Sequence, residues 1–377
     1  MMILSKDSLV SISVGILLAI LLRHAPGRAA WEFNRSVDDD TLIHGSSGDD
    51  HTIIRFLGGD DVTLLSGRLY RPLQKNDNNT TSGDDDNKKV PIIVLAHGLG
   101  LSQDCHLHPF VNAFTRAGFA AFTFDYASFG ASDGYPRHVV HQKMHVADVH
   151  AAITMIQKDE KIRKVVDVTK IGLWGTSLGG GHVLEVAASS DIGDSPKITA
   201  VVAQVPALIS GIESVLGTIQ KSPFVAVTGM ANLIHGLLKG ASKGILGQTW
   251  YIPLHGVPGS AAIMQNPGDN EGYSSLIPQN GGQYDWKNAA SSGSVVRLLT
   301  HRPMNQVSQI QTTPTLLVAA ENDTLCPAKA VENAAKLIGN SELLLLRGVG
   351  HFDVYHKEEV LQTILSTTVD FFKANLK

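Results

Sequence analysis

The sequence predicts an α/β protein: a mostly parallel, eight-stranded sheet with helices on both faces and a lid inserted after strand 6. Three observations carry that expectation. Short unbroken apolar runs (PIIVLA, AAFTFD, KIGLWG, ITAVVAQ) are bounded by turn residues, the pattern of strands buried on both faces. Segments with apolar residues at helical spacing lie between them, so strand and helix alternate. The alternation breaks from about Ala207 to Gln306, where helical pattern mixes with Gly- and Pro-rich stretches such as YIPLHGVPGS, and then resumes.

The chain has 377 residues, 43% hydrophobic and 18% charged, enough apolar content for a large core and against global disorder. A formal net charge of −4 gives no electrostatic reason to expect a nucleic-acid partner. Cys105 and Cys326 lack the spacing of a zinc site or a disulfide framework and read as free thiols. His97, His106, His108, His138, His141 and His145 fall close together, but none makes a ligand set such as HExxH, so no metal is expected.

The amino terminus stands apart. Leu9–Leu22 is almost entirely apolar, with Lys6 before it and Arg23, His24 and Arg28 after it. The run is short for a membrane span and fits either a signal peptide or a retained anchor. Either reading sets residues 1–30 apart from the fold. It also places the chain on the secretory pathway or at a membrane, through residues 9–22, with the cytoplasm as the alternative. Residues 31–50 are polar and acidic and read as a linker.

The folded domain is expected over residues 51–377. His51–Leu57 and Asp61–Arg71, separated by Gly58-Gly59, look like a hairpin. Asn76–Lys89, NDNNTTSGDDDNKK, has no apolar anchor and reads as a solvated loop carrying glycosylation sequons at Asn78 and Asn79. That loop enters the strand Pro91–Ala96 from its N-terminal end, whereas ligands of open parallel sheets sit beyond the C-terminal ends. Strands follow at Ala120–Asp125, Lys170–Gly175, Ile198–Gln204, Thr313–Ala320 and Glu342–Gly348. Helices are expected at Leu107–Ala117, His141–Gln157, Leu178–Ala188, Ala328–Leu337 and Lys357–Leu376.

The chemistry is concentrated at strand ends. Gly175-Thr176-Ser177-Leu178-Gly179 follows the strand IGLW and opens a helical segment. This is G-x-S-x-G in the context it requires, a sharp turn that lifts a serine above the sheet. A serine hydroxyl is a poor nucleophile at neutral pH and needs a base and an anion trap. His351, on the Gly-rich loop after the last strand, is the candidate base. Asp323, after the strand TLLVAA, is the candidate carboxylate that orients it, with Glu321 as competitor and Asp353 too near His351 in sequence. The amide of Leu178 and that of Leu99, in His97-Gly98-Leu99-Gly100, are the candidate oxyanion donors. His97 itself reads as structural. Asp125–Gly134 reads as a loop-shaping segment at the active edge, braced by Asp148 from the next helix.

Together these residues resemble the α/β-hydrolase superfamily, in its serine-aminopeptidase-like and dienelactone-hydrolase-like branch. FDYASFGASDG, LWGTSLGGGHVLEVAA, VVAQVP, GVGHFDVY and the segment YIPLHGVPGSAAIMQNPGDNEGYSSLIP are similar to the family of fungal polyketide transferases and their bacterial hydrolase relatives. The resemblance runs from about residue 52 to 375 and leaves out the apolar terminus and the Asn/Asp-rich loop. It implies a catalytic domain over 51–377 with a cap at about 207–306. It also implies Ser177, Asp323 and His351 as triad, and acyl transfer from a small-molecule ester or thioester to water or an alcohol, without a cofactor. Two rivals stand beside this reading: a peptidase acting at free amino termini, and a non-catalytic binding protein that kept the fold. A chain lacking residues 1–30 is expected to fold and keep its activity, checked by thermal melting and ester turnover; an unfolded, inactive truncation overturns this.

Overall fold

A computed structural model describes residues 43–47, 51–72, 89–192, 196–221, 223–245, 247–278 and 286–376. Its strands are β1 (Ile43–Ser47), β2 (His51–Leu57), β3 (Leu64–Tyr70), β4 (Val90–Ala96), β5 (Ala120–Phe124) and β6 (Val166–Thr176). They continue with β7 (Ala200–Gln204), β8 (Tyr251–Ile252), β9 (Ala290–Ser291), β10 (Thr315–Ala320) and β11 (Ser341–Leu346). Nine of these form one sheet in the order β1-β2-β3-β5-β4-β6-β7-β10-β11. The six strands from β5 to β11 in that order are parallel, and β1, β2 and β3 pair antiparallel at one edge.

The centre of the parallel part is dry because its strands are apolar, whereas β11 at the edge and the first half of β6 keep exposed residues. Every residue of β5, β7 and β10 is buried, as are the last five of β4. Pro91 lacks the N–H that a central strand needs, and the β4–β6 register shifts between Val90 and Ile92. The hairpin of β2 and β3 forms as expected, with Leu57 opposite Leu64. One difference lies at the edge. Ile43–Ser47, expected to be linker, pairs antiparallel with β2, so the sheet has one strand more than the eight predicted. A polar segment can do this because edge pairing uses backbone groups and buries little side chain.

Helices α1 (His108–Arg116), α2 (Gln142–Lys158), α3 (Glu160–Val165) and α4 (Leu178–Ile192) connect the first parallel strands. The sequence pattern missed α3 because EKIRKV has little apolar periodicity. Its start is set instead by Asp159, whose carboxylate accepts from the amides of Lys161 and Ile162. Between β7 and β10 lie α5 (Gly211–Lys221), α6 (Pro223–Ile245), α7 (Asp269–Ser274), α8 (Ser292–Thr300) and the small β8–β9 ladder. This segment has a small core of its own, formed by Leu237, Ile252, Val295 and Val296. The chain closes with α9 (Ala328–Leu337), α10 (Asp353–His356) and α11 (Glu358–Asn375).

Among the described residues no helix is long and apolar enough to cross a membrane. Residues 1–30 with their apolar run, and the Asn78 and Asn79 sequons, lie outside the described residues.

Asp191, in the last turn of α4, ties the helix to the segment entering β10. Its carboxylate accepts from the amides of Gln311, Thr312 and Thr313 and from the hydroxyls of Thr312 and Thr313. Partial burial pushes this carboxyl upward, but the hydrogen bonds from Thr313, Thr312 and Gln311 outweigh it and hold it below 3.8. Such a group stabilises the fold above its unfolded pKa and loses that contribution as pH falls through the depressed folded value. Asp191→Ala is expected to lower stability by about 2 kcal/mol at neutral pH. Its unfolding free energy should also decline less steeply than that of the parent below pH ~4, where the parent loses this contribution, as read by urea titrations across the acid range.

Candidate active site

The turn from β6 into α4 places Ser177. Its φ is +53°, a left-handed conformation that non-glycine residues rarely adopt. Neighbouring backbone holds it there. The Ser177 amide donates to Gln204 O at 2.9 Å, and the amides of Ala207 and Gly181 donate to Ser177 O at 2.9 and 3.2 Å. The flanking glycines are steric necessities. A Cβ on Gly175 would overlap the carbonyl of Gly179, and one on Gly179 would overlap the carbonyls of Ala96 and His97.

β10 and β11 deliver the next two groups. Asp323 Oδ1 accepts from the amides of Leu325 and Cys326 at 2.8 and 2.7 Å, which aims Oδ2 at His351 Nδ1, 2.7 Å away. Both side chains are almost wholly buried. Burial alone would push the imidazole toward neutrality, but the adjacent Asp323 carboxylate outweighs it and raises His351 well above the ordinary value. The competing carboxylates point elsewhere. Glu321 bonds the Gly348 amide and pairs with Arg347, and Asp353 accepts from the Gly350 amide.

Ser177, Leu178 and Leu99 line one cavity of about 190 Å³, together with apolar residues such as Val215, Met264, Val295 and Leu298. Gly98 brings the loop after β4 against the serine, since a Cβ there would lie 3.4 Å from Ser177 Cβ. Among the described residues, no hydrogen bond runs directly from the Ser177 hydroxyl to His351. The Cys326 thiol, which burial makes a weaker acid, lies within 4.8 Å of a ring nitrogen of His351 and lines the same cavity as Ser177. Catalytic hydrogen bonds commonly tighten only once substrate is bound. Cys105 and Cys326 are both free and buried. Asp323, Cys326 and His351 are the one group among the described residues whose ligand atoms are close enough to share a metal ion.

Several residues that hold the site were not legible in the sequence. Tyr273 donates its hydroxyl to Leu99 O at 2.6 Å, and Trp286 donates its indole N–H to Gly100 O at 2.9 Å. Both come from the segment between β7 and β10, and both stack on His255. Their only sequence signal is aromatic character in a Gly- and Pro-rich stretch.

Two of the histidines that look clustered in sequence, His97 and His145, pack as aromatic rings together with His182. His97, His145 and His182 surround Tyr126 at centroid distances of 4.5, 4.3 and 5.5 Å. Burial lowers His97 to about 4 and the other two well below the ordinary value. Asp125 shapes its loop by accepting from Gln103 and from the Ala131 amide. Asp148 braces it by accepting from the amides of Gly59 and Ala127, both at 3.0 Å.

Comparison with known proteins agrees with this architecture. A family described as serine aminopeptidase, S33, matches residues 87–242, and one described as TAP-like protein matches residues 285–367. The quorum-quenching protein AidA of Acinetobacter baumannii is 31% identical over 284 residues, covering 75% of this chain and 86% of its own. A polyketide transferase of Gibberella fujikuroi is 27% identical over 307 residues, covering 77% of this chain and 91% of its own. The structure of the α/β hydrolase GrgF from Penicillium sp. sh18 superposes with a TM-score of 0.65 at 22% identity, covering 86% of this chain and 99% of its own. Sheet order and relatives that match along most of their length agree, and the chain belongs to the α/β-hydrolase superfamily, in the serine-aminopeptidase-like branch that includes the fungal polyketide transferases.

Proposed function

We propose that the chain is a serine hydrolase that cleaves small-molecule esters or thioesters through an acyl-enzyme. The observation that carries this reading is the strained serine at the elbow, opening on a largely apolar cavity beside a buried Asp323–His351 pair. His351 Nε2 takes the proton of Ser177, and Oγ attacks the acyl carbonyl. The amides of Leu99 and Leu178 bind the tetrahedral oxyanion, a contribution of about 3 kcal/mol per donor. His351 then returns the proton to the departing alcohol or thiol, and water or an alcohol releases the acyl group.

Residues 51–377 act as the catalytic domain, and about 207–306 as the lid. Tyr273 and Trp286 link that lid to the loop carrying Leu99, so lid and oxyanion site are set together. The names of the relatives, a quorum-quenching protein and polyketide transferases, fit acyl chemistry. A peptidase acting at amino termini needs a carboxylate to hold the substrate amine, and no Asp or Glu lines the cavity among the described residues. Labelling of Ser177 by a fluorophosphonate separates an enzyme from a binding protein that kept the fold.

Ser177→Ala is expected to abolish turnover of p-nitrophenyl acetate. Leu99→Ala, which keeps the backbone donor, should change kcat by less than about threefold, against the roughly hundredfold loss typical when a donor is removed. Full activity in Ser177→Ala ends the reading. A base must be deprotonated to act, so activity is present above the His351 pKa and lost as pH falls through it. Because Asp323 raises that pKa, the acid limb of kcat/KM should lie above 6.5. Asp323→Asn should move the limb to lower pH and reduce kcat by about 10⁴; an unmoved limb in steady-state pH profiles counts against His351 as the base.

A further inference from the structure

Cys326 has no role in that chemistry, yet it stands among the reacting groups. Its Sγ, a carboxylate oxygen of Asp323 and a ring nitrogen of His351 all lie within 4.8 Å of one another. The thiol also lines the cavity that Ser177 lines. Backbone geometry places it there. The Cys326 amide donates to Asp323 Oδ1, so the turn that aims the carboxylate at His351 also carries the thiol to the imidazole.

The donor types match one class of ion. Thiolate sulfur and imidazole nitrogen are the preferred ligands of zinc, in a tetrahedral shell that a hydroxyl or water can complete. Asp323 is already committed, with Oδ1 on two amides and Oδ2 on His351 Nδ1. A carboxylate behind a histidine is the outer-shell partner usual for zinc-bound histidine, fixing the ring so that its other nitrogen presents a lone pair.

We propose that Cys326 Sγ and His351 Nε2 capture one Zn²⁺ ion at the cavity wall, with Ser177 Oγ or water completing its shell, and that this ion switches the enzyme off. On binding, Zn–S and Zn–N bonds form, each displacing a water from the metal, while the thiol proton and any proton on Nε2 pass to solvent; no electron moves. The ion occupies the lone pair that takes the serine proton, so metal and catalysis exclude one another. The effect on turnover rests on the serine-hydrolase reading; the binding does not.

The test uses the full chain freed of metal by a chelator, with Co²⁺ as spectroscopic probe and Zn²⁺ as competitor. One Co²⁺ per chain should give a thiolate-to-metal charge-transfer band that Zn²⁺ removes, and p-nitrophenyl acetate turnover should fall in step with zinc occupancy. Cys326→Ser should lose the band and weaken zinc binding by at least about tenfold, while Cys105→Ser changes neither. Ser177→Ala should keep the band. Turnover by that variant sinks the hydrolase reading, whereas absence of the band in the parent sinks the metal site. Zinc binding of undiminished strength in Cys326→Ser also overturns the proposal. If that variant does not fold, loss of the band after alkylation of Cys326 in the parent supports the site, and its persistence refutes it.

Discussion

Ser177 holds a left-handed backbone conformation at the end of β6, and the surrounding structure exists in part to keep it there. A non-glycine residue in that region costs on the order of 1–3 kcal/mol and persists only where neighbours over-determine it. Here the amide is taken by the end of β7, the carbonyl by Ala207 and Gly181, and the space on either side by close backbone contacts at Gly175 and Gly179. The parallel sheet is the rigid element that supplies those contacts. β4, β6 and β7 lie side by side with apolar residues on both faces, so the elbow, the loop after β4 and the end of β7 cannot move independently.

Electrostatics at the same edge follows from burial. Asp323 and His351 meet in a place that excludes water, where the carboxylate's field on the imidazole is strong enough to override desolvation. The histidines beside Tyr126 show the opposite case. Without a carboxylate against them, burial drives them toward the neutral form, and they serve as packed rings. One residue type thus has two behaviours a short distance apart, set by whether a carboxylate shares its site.

The segment between β7 and β10 is joined by specific hydrogen bonds to the sheet edge that carries Ser177. Tyr273 and Trp286 hold the carbonyls of Leu99 and Gly100, so the position of the loop after β4 is set by side chains 174 and 186 residues further along. Cys326 adds a second such coupling, because the carboxylate turn that orients His351 also presents a sulfur to it.

Local pattern determined much of this. Unbroken apolar runs announced buried parallel strands, and G-x-S-x-G between a strand and a helix announced the elbow, because both depend on short-range sterics and burial that the sequence writes directly. The order of Ser177, Asp323 and His351 along the chain was equally legible, since each follows a recognisable strand. Other features depended on tertiary structure. Ile43–Ser47 became an edge strand because β2 offered unpaired backbone groups, which no property of a polar segment reveals. Asp323 rather than Glu321 faces the imidazole, a matter of backbone direction after β10. Tyr273, Trp286 and Cys326 acquired their places only when distant segments packed together, because side-chain partners far apart in sequence leave no periodicity to read.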